Sequence, residues 1–108
     1  MGAVVSLTAR RVQQQGLQLA HTDDQNVELS NWSIRCTDIG TSHVIGDVDD
    51  GDGQRVSSAI VEHDAQRGLI RTQSGRYYAL HGPETNGSEN ARMLWTSFKE
   101  LHGLVEVR

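Results

Sequence analysis

At 108 residues the chain has the length of one domain, which leaves no room for a second independent core. Charged residues make up 22% and the formal net charge is −4, too mixed for a disordered tail. That balance is also too acidic for nucleic acid to be the default partner, because phosphate binding needs clustered Lys and Arg. A single cysteine, Cys36, excludes an internal disulfide framework and predicts a reducing, cytoplasmic compartment.

Met1 to Ala9 lacks the long apolar run of a secretory leader, and no apolar run approaches the length that spans a bilayer, so no membrane role is expected. Residues 5–20 read as a helix, with Val5, Ala9, Val12, Gly16 and Leu19 on one stripe, or as a helix that stops at Gly16 with a short extended piece from Gly16 to Ala20. His21 to Asn26 is polar and reads as a loop. From Val27 the period changes to two: Val27 and Leu29, then Trp32, Ile34 and Cys36. The offset between Leu29 and Trp32 predicts a bulge or turn at Ser30-Asn31.

Asp38 to Thr41 is a turn candidate, and His43 to Val48 is the next strand. Asp49 to Gln54, dense in Asp and Gly, is a loop. Arg55 to His63 reads as one strand, Leu69 to Gln73 as another, and Arg76 to His81 as the fifth. Ser74-Gly75 closes the last hairpin. Gly82-Pro83 breaks the sheet. Ser88 can cap a helix running to about Leu101, with Ala91, Leu94, Trp95, Phe98 and Leu101 as its apolar stripe and Gly103 as its stop. Leu104 to Val107 alternates, as a last strand or a loose tail.

Short connections favour antiparallel neighbours. The predicted fold is therefore α+β: a small antiparallel β-meander or SH3-like barrel of about five strands. The C-terminal helix covers its open side, with Trp95 and Phe98 as core anchors, and an N-terminal helix precedes it.

An ordered series runs through the centre: Leu29, Trp32 and Ile34; His43 to Val48; Gly53, Val56, Ser58, Ile60 and Val61; then Leu69 to Arg76, Tyr78, Leu80 and Gly82. Over residues 29–82 it resembles small bacterial proteins of unknown function, often carried by phages, plasmids and integron cassettes. The resemblance implies an accessory role and brings no activity, cofactor or catalytic residue. The N-terminal segment and C-terminal helix lie outside it. On physical grounds the same residues are packing residues: Trp32 anchors a sheet face, and Gly46 permits a close approach or bulge.

Three constellations could carry chemistry. The acidic loop Asp47, Asp49, Asp50 and Asp52 has the closely spaced carboxylates that calcium prefers. It departs from the calcium-loop pattern, with Gly51 and Asp52 at its fifth and sixth positions and Ser58 at its twelfth. A solvated loop, or an acidic knob for a basic protein surface, is the better reading. Arg67, Arg71, Arg76, Tyr77 and Tyr78 lie along one hairpin and could stack on bases, although Tyr78 is expected to be buried. Of the five histidines, His63 and His81 could approach across the sheet; no pair has zinc-helix spacing. Cys36, in an alternating strand, reads as a small core residue rather than a nucleophile.

The expected function is that of a non-enzymatic accessory protein that binds another protein, with a small homodimer as one form. Its expected contact residues are Asp47, Asp49, Asp50, Asp52, Arg71, Arg76 and Tyr77. No cofactor or metal is expected. The alternatives are a nucleic-acid-binding barrel using Arg71, Arg76 and Tyr77, and an enzyme with a dimer-interface pocket around His63 and His81.

Overall fold

A computed structural model describes residues 26–49, 51 and 53–107. The helix expected over residues 5–20 lies outside them. The elements run in the order β1 (Asn26–Thr37), β2 (Ser42–Val48), β3 (Gln54–Val56), β4 (Ile60–Asp64), β5 (Leu69–Thr72), β6 (Tyr77–His81), α1 (Glu89–His102) and β7 (Glu106–Val107).

The α+β class holds: one mixed sheet carries one C-terminal helix among the described residues. The five-strand antiparallel meander and the SH3-like barrel are corrected. The hydrogen-bonded path is β3-β2-β1-β6-β5-β4, with β7 on β1, and it is open rather than closed. The local hairpins are antiparallel, as short loops require. The join between them is not: β6 returns beside β1 and runs parallel to it, Asn26 opposite Tyr77 and Ser30 opposite His81. Loop length is silent about that pairing, because each pair of partners is 51 positions apart in sequence, as from Asn26 to Tyr77.

The offset in β1 is a bulge. Ser30 pairs with Asp47 and Ser33 with Ile45, so Asn31 and Trp32 together oppose Gly46. Asn31 takes φ 52°, the left-handed conformation that Asn tolerates better than most residues. The bulge turns Trp32 so that its indole Nε1 donates to the Gly82 carbonyl at 3.0 Å while its ring packs on the first core.

The strand expected over Arg55–His63 is two strands. Its break is polar and buried. Ser57 Oγ accepts from Val44 N at 2.9 Å and donates to the Ser58 carbonyl, so the backbone pairing with β2 ends on a side chain. Two residues later Gln73 N donates to the Ala59 carbonyl, and β4 continues along β5.

Two cores lie on opposite faces of β2. Val44 packs with Val27, Leu29, Ile70 and Tyr78, supported by Trp32, Ile34, Ile60 and Leu80 from the curled sheet. Ile45, the next residue, points the other way and packs with Ala91, Trp95, Val56 and Phe98. The helix therefore sits on the outside of β2 and β3. It does not cover an open side of the first core, as expected from sequence. Trp95 and Phe98 are anchors, but of a second core.

Local chemistry explains where α1 begins and ends. Ser88 is the N-cap, its Oγ accepting from Ala91 N at 3.1 Å and donating to Asp47 Oδ1 at 2.7 Å. Gly103 takes φ 65° and closes the last turn, its N–H bonding the Glu100 and Lys99 carbonyls. The buried flank carries His43 beneath it. The His43 ring lies 5.5 Å from the Trp95 ring and 5.3 Å from the Phe98 ring. Its Nδ1 meets the Ser57 carbonyl at 2.9 Å and therefore carries the proton; in the neutral ring Nε2 then accepts from Thr41 Oγ1.

Glu106 on β7 fastens this helix to β1. Its Oε1 accepts from Trp95 Nε1 at 2.7 Å and lies 3.4 Å from Lys99 Nζ; its Oε2 is 3.0 Å from Arg35 Nη1. Burial works to raise the Glu106 pKa, but the hydrogen bonds from Trp95 and Arg35, the Arg35 charge and the Lys99 bond outweigh it and hold the value below the ordinary 4.5. A depressed carboxyl stabilises the fold above its unfolded pKa and loses that contribution as pH falls through the folded value. Glu106→Gln should therefore cost about 1–3 kcal/mol near neutral pH, the scale of hydrogen bonds to a charged group. The gap to wild type should close below the ordinary carboxylate range. Urea denaturation of both proteins at neutral pH and at about pH 3 checks it; a gap that persists in acid contradicts it.

Candidate functional site

Among the described residues, the expected contact residues fall in different surroundings. Asp47 is spent on the Ser88 cap of α1 and is half-buried. Asp50 and Asp52 lie outside the described residues. Asp49 leaves the loop and joins a different group, described below. Arg71 and Tyr77 face each other across β5 and β6. Tyr77 lies four residues along β6 from His81, which touches Asp49; that is about 13 Å of strand. Among the described residues, Asp47 and Asp49 thus do not share one centre with Arg71 and Tyr77.

Acidic neighbours occupy two of the hairpin arginines. Arg71 Nη2 lies 2.6 Å from Glu62 Oε1, and Arg67 Nη1 lies 3.2 Å from Asp64 Oδ2. Arg76, with Arg55 from β3, flanks the phenol of Tyr78, which is buried as expected. Burial raises the Tyr78 pKa above its ordinary 10.0 against the lowering pull of Arg55 and Arg76. Arg67 and Arg71 thus have acidic partners within the fold.

The register separates His63 from His81. His63 opposes Ile70, and Ile70 opposes Tyr78, so two strand spacings and three residues intervene. That is roughly 14 Å, too far for a shared catalytic task. Cys36 is exposed, with its Sγ 3.5 Å from Ser42 Oγ, which corrects the core reading. It shares a face with Trp32 and Ile34, but the apolar cluster beneath that face ends at Ile34.

Two features unexpected from sequence remain. The first is a cluster of Glu28 on β1, Asp49 just beyond β2 and His81 on β6, whose ligand-type atoms all lie within 4.8 Å of one another. His81 Nε2 is 2.8 Å from Glu28 Oε1 and 3.4 Å from Asp49 Oδ2. The other Asp49 oxygen accepts from the Ser30 hydroxyl, and Asp49 N donates to the Glu28 carbonyl at 2.9 Å. The antiparallel β1–β2 pairing brings Asp49 to Glu28, and the parallel β1–β6 pairing adds His81, so no local spacing in the sequence marks the three together.

The second is the outward flank of α1. At about 100° per residue, Ala91, Trp95, Phe98 and His102 share the flank that faces the sheet. Asn90, Met93, Leu94, Ser97 and Leu101 share the adjacent flank; all five are exposed and none is charged. Leu101 is 80% exposed and Met93 61%, so Leu101, expected in the core stripe, stands in solvent; Leu94 does too. The helix has two apolar flanks, and a single stripe fitted to both put Leu94 and Leu101 in the wrong one. Just past the helix, Val105 and Ile39 are also exposed and are tied together through Asp38, which bonds the Val105 carbonyl and amide.

Comparison with protein-family models, with curated proteins and with solved structures returned no match.

Proposed function

We propose that this domain acts by binding protein, and that its docking surface is the uncharged flank of α1 with a second copy of the chain as occupant. The observation that carries the reading is the run Asn90, Leu94, Ser97, Leu101. These exposed residues recur at alternating spacings of four and three, the seam spacing of paired helices. Ser97 is small enough for close approach, and Asn90 is a polar residue of the kind that sets register.

The helix dipole favours an antiparallel, two-fold arrangement: α1 is acidic in its first turn at Glu89 and carries Lys99 and His102 in its last, but those two side chains are turned to Glu106 and Phe98 rather than to the uncharged flank. In an antiparallel pair the two helix dipoles oppose, which favours that arrangement over a parallel one. A two-fold axis pairs Leu94 with Ser97 of the second copy and Asn90 with its Leu101. Exposed Met93 widens the contact. One helix pair falls short of the about 1,200–2,000 Å² of a standard interface, so the dimer is a weak one, with Kd on the order of tens of micromolar. An accessory role in a bacterial or phage genome fits such a small binding module.

Sedimentation velocity from about 5 µM to about 500 µM tests this. Wild type should shift from monomer to dimer across that range. The double variant Leu94→Glu, Leu101→Glu should stay monomeric with an unchanged circular dichroism spectrum, because both side chains are exposed in the monomer. A wild type that remains monomeric throughout overturns the reading, and so does a dimer that survives both substitutions.

A further inference from the structure

We infer that Glu28, Asp49 and His81 form a binding site for a divalent transition-metal ion of the zinc class. Three lone-pair-bearing atoms converge here on one point, and the group supplies one proton at most for them. His81 Nε2 can donate a single hydrogen, yet it faces two carboxylate oxygens, at 2.8 and 3.4 Å. A bound ion replaces that proton and satisfies all three atoms together. Tetrahedral ligands held about 2.0–2.2 Å from a zinc ion stand about 3.3–3.6 Å apart; the His81–Asp49 separation of 3.4 Å matches this, the His81–Glu28 pair at 2.8 Å would open by about half an ångström, and all three atoms lie within 4.8 Å of one another.

The scaffold holds the three donors in place before any ion arrives. Glu28 and His81 project from paired strands, with Glu28 opposite Ala79 and Ser30 opposite His81. The Asp49 amide is bonded to the Glu28 carbonyl, and the Ser30 hydroxyl holds one Asp49 oxygen, which leaves the other turned to His81. Such outer bonds orient ligands and raise their affinity. With the imidazole neutral, the two carboxylates carry two negative charges, which a divalent cation balances. All three groups are exposed, so water can fill a fourth position. The imidazole nitrogen selects the chemical class: calcium and magnesium take oxygen ligands, whereas zinc and its neighbours accept mixed nitrogen and oxygen sets.

Isothermal titration of the full-length, tag-free chain with Zn²⁺, and separately with Ca²⁺, tests the site. One equivalent of Zn²⁺ should bind, and Ca²⁺ should give no saturable heat. His81→Ala and Glu28→Gln should each weaken Zn²⁺ binding by at least about tenfold. Both positions are exposed, so circular dichroism should show the fold intact. In wild type the His81 ring-nitrogen resonances should move on adding Zn²⁺. Zinc affinity unchanged in the two variants would place the ion on other histidines and overturn the assignment. Absence of Zn²⁺ binding in wild type, or Ca²⁺ binding that is indifferent to His81, would overturn it as well.

Discussion

Trp95→Ala should cost the fold about 3–5 kcal/mol, the range for truncating a large buried aromatic residue. Trp95 is only 2% exposed and is the centre of the outer core, packed with Ile45, Ala91, Val56 and Phe98. Its ring stacks on Phe98 at 5.8 Å and meets His43 at 5.5 Å. Its indole N–H also holds Glu106 and so β7. Truncation empties the space between helix and sheet, and it removes one of three donors from a carboxylate that ties α1 to β1. The melting temperature should fall by roughly 15 °C or more, at about 4–8 °C per kcal/mol for a domain of this size. Leu101→Ala on the neighbouring flank should change monomer stability by less than about 0.5 kcal/mol. Thermal and urea unfolding at dilute concentration, where self-association does not contribute, separates the two. Equal losses for Trp95 and Leu101 would mean that the flanks of α1 are assigned wrongly.

Gly46→Ala should cost about 1–3 kcal/mol, although it adds one carbon. A Cβ at Gly46 would stand 3.1 Å from the Ser30 carbonyl oxygen and 3.2 Å from both Cα and Cβ of Trp32. Two of those neighbours belong to the backbone of the bulge in β1, which cannot swing aside as a flexible side chain would. The collision would push β1 from β2 at the bulge, and would disturb Trp32, whose indole holds Gly82. Urea denaturation gives the difference directly. An unchanged midpoint would show that the bulge yields freely and does not require glycine opposite it.

Local signals in the chain announced these features to unequal degrees. The helix was legible almost residue by residue, because Ser88 and Gly103 act through bonds to their immediate neighbours. The β1 bulge was legible as a broken alternation between Leu29 and Trp32, and Gly46 as a site of close approach or a bulge, though not as the residue that faces the bulge of β1. The division of Arg55–His63 into β3 and β4 was not, because Ser57 ends the pairing by bonding Val44, thirteen residues upstream. Likewise the parallel union of β1 with β6 depends on partners far apart in sequence, and with it the meeting of Glu28, Asp49 and His81. Among the expected contact residues, Asp47 and Arg71 direct their charge to neighbours in the chain, Asp47 to Ser88 and Arg71 to Glu62 on the surface. Charge patterning shows that a side chain can form an ion pair; it does not show with which neighbour.

Two flanks of one helix, one committed to the sheet and one left for a second molecule, are what the functional reading stands on. A dilution series of ¹H–¹⁵N correlation spectra interrogates them residue by residue. Lowering the concentration should move the amide signals of Asn90, Met93, Leu94, Ser97 and Leu101 together, and leave Arg71, Tyr77 and His81 where they are. Spectra that do not change with concentration, or changes centred on the β5–β6 hairpin instead, would contradict the account.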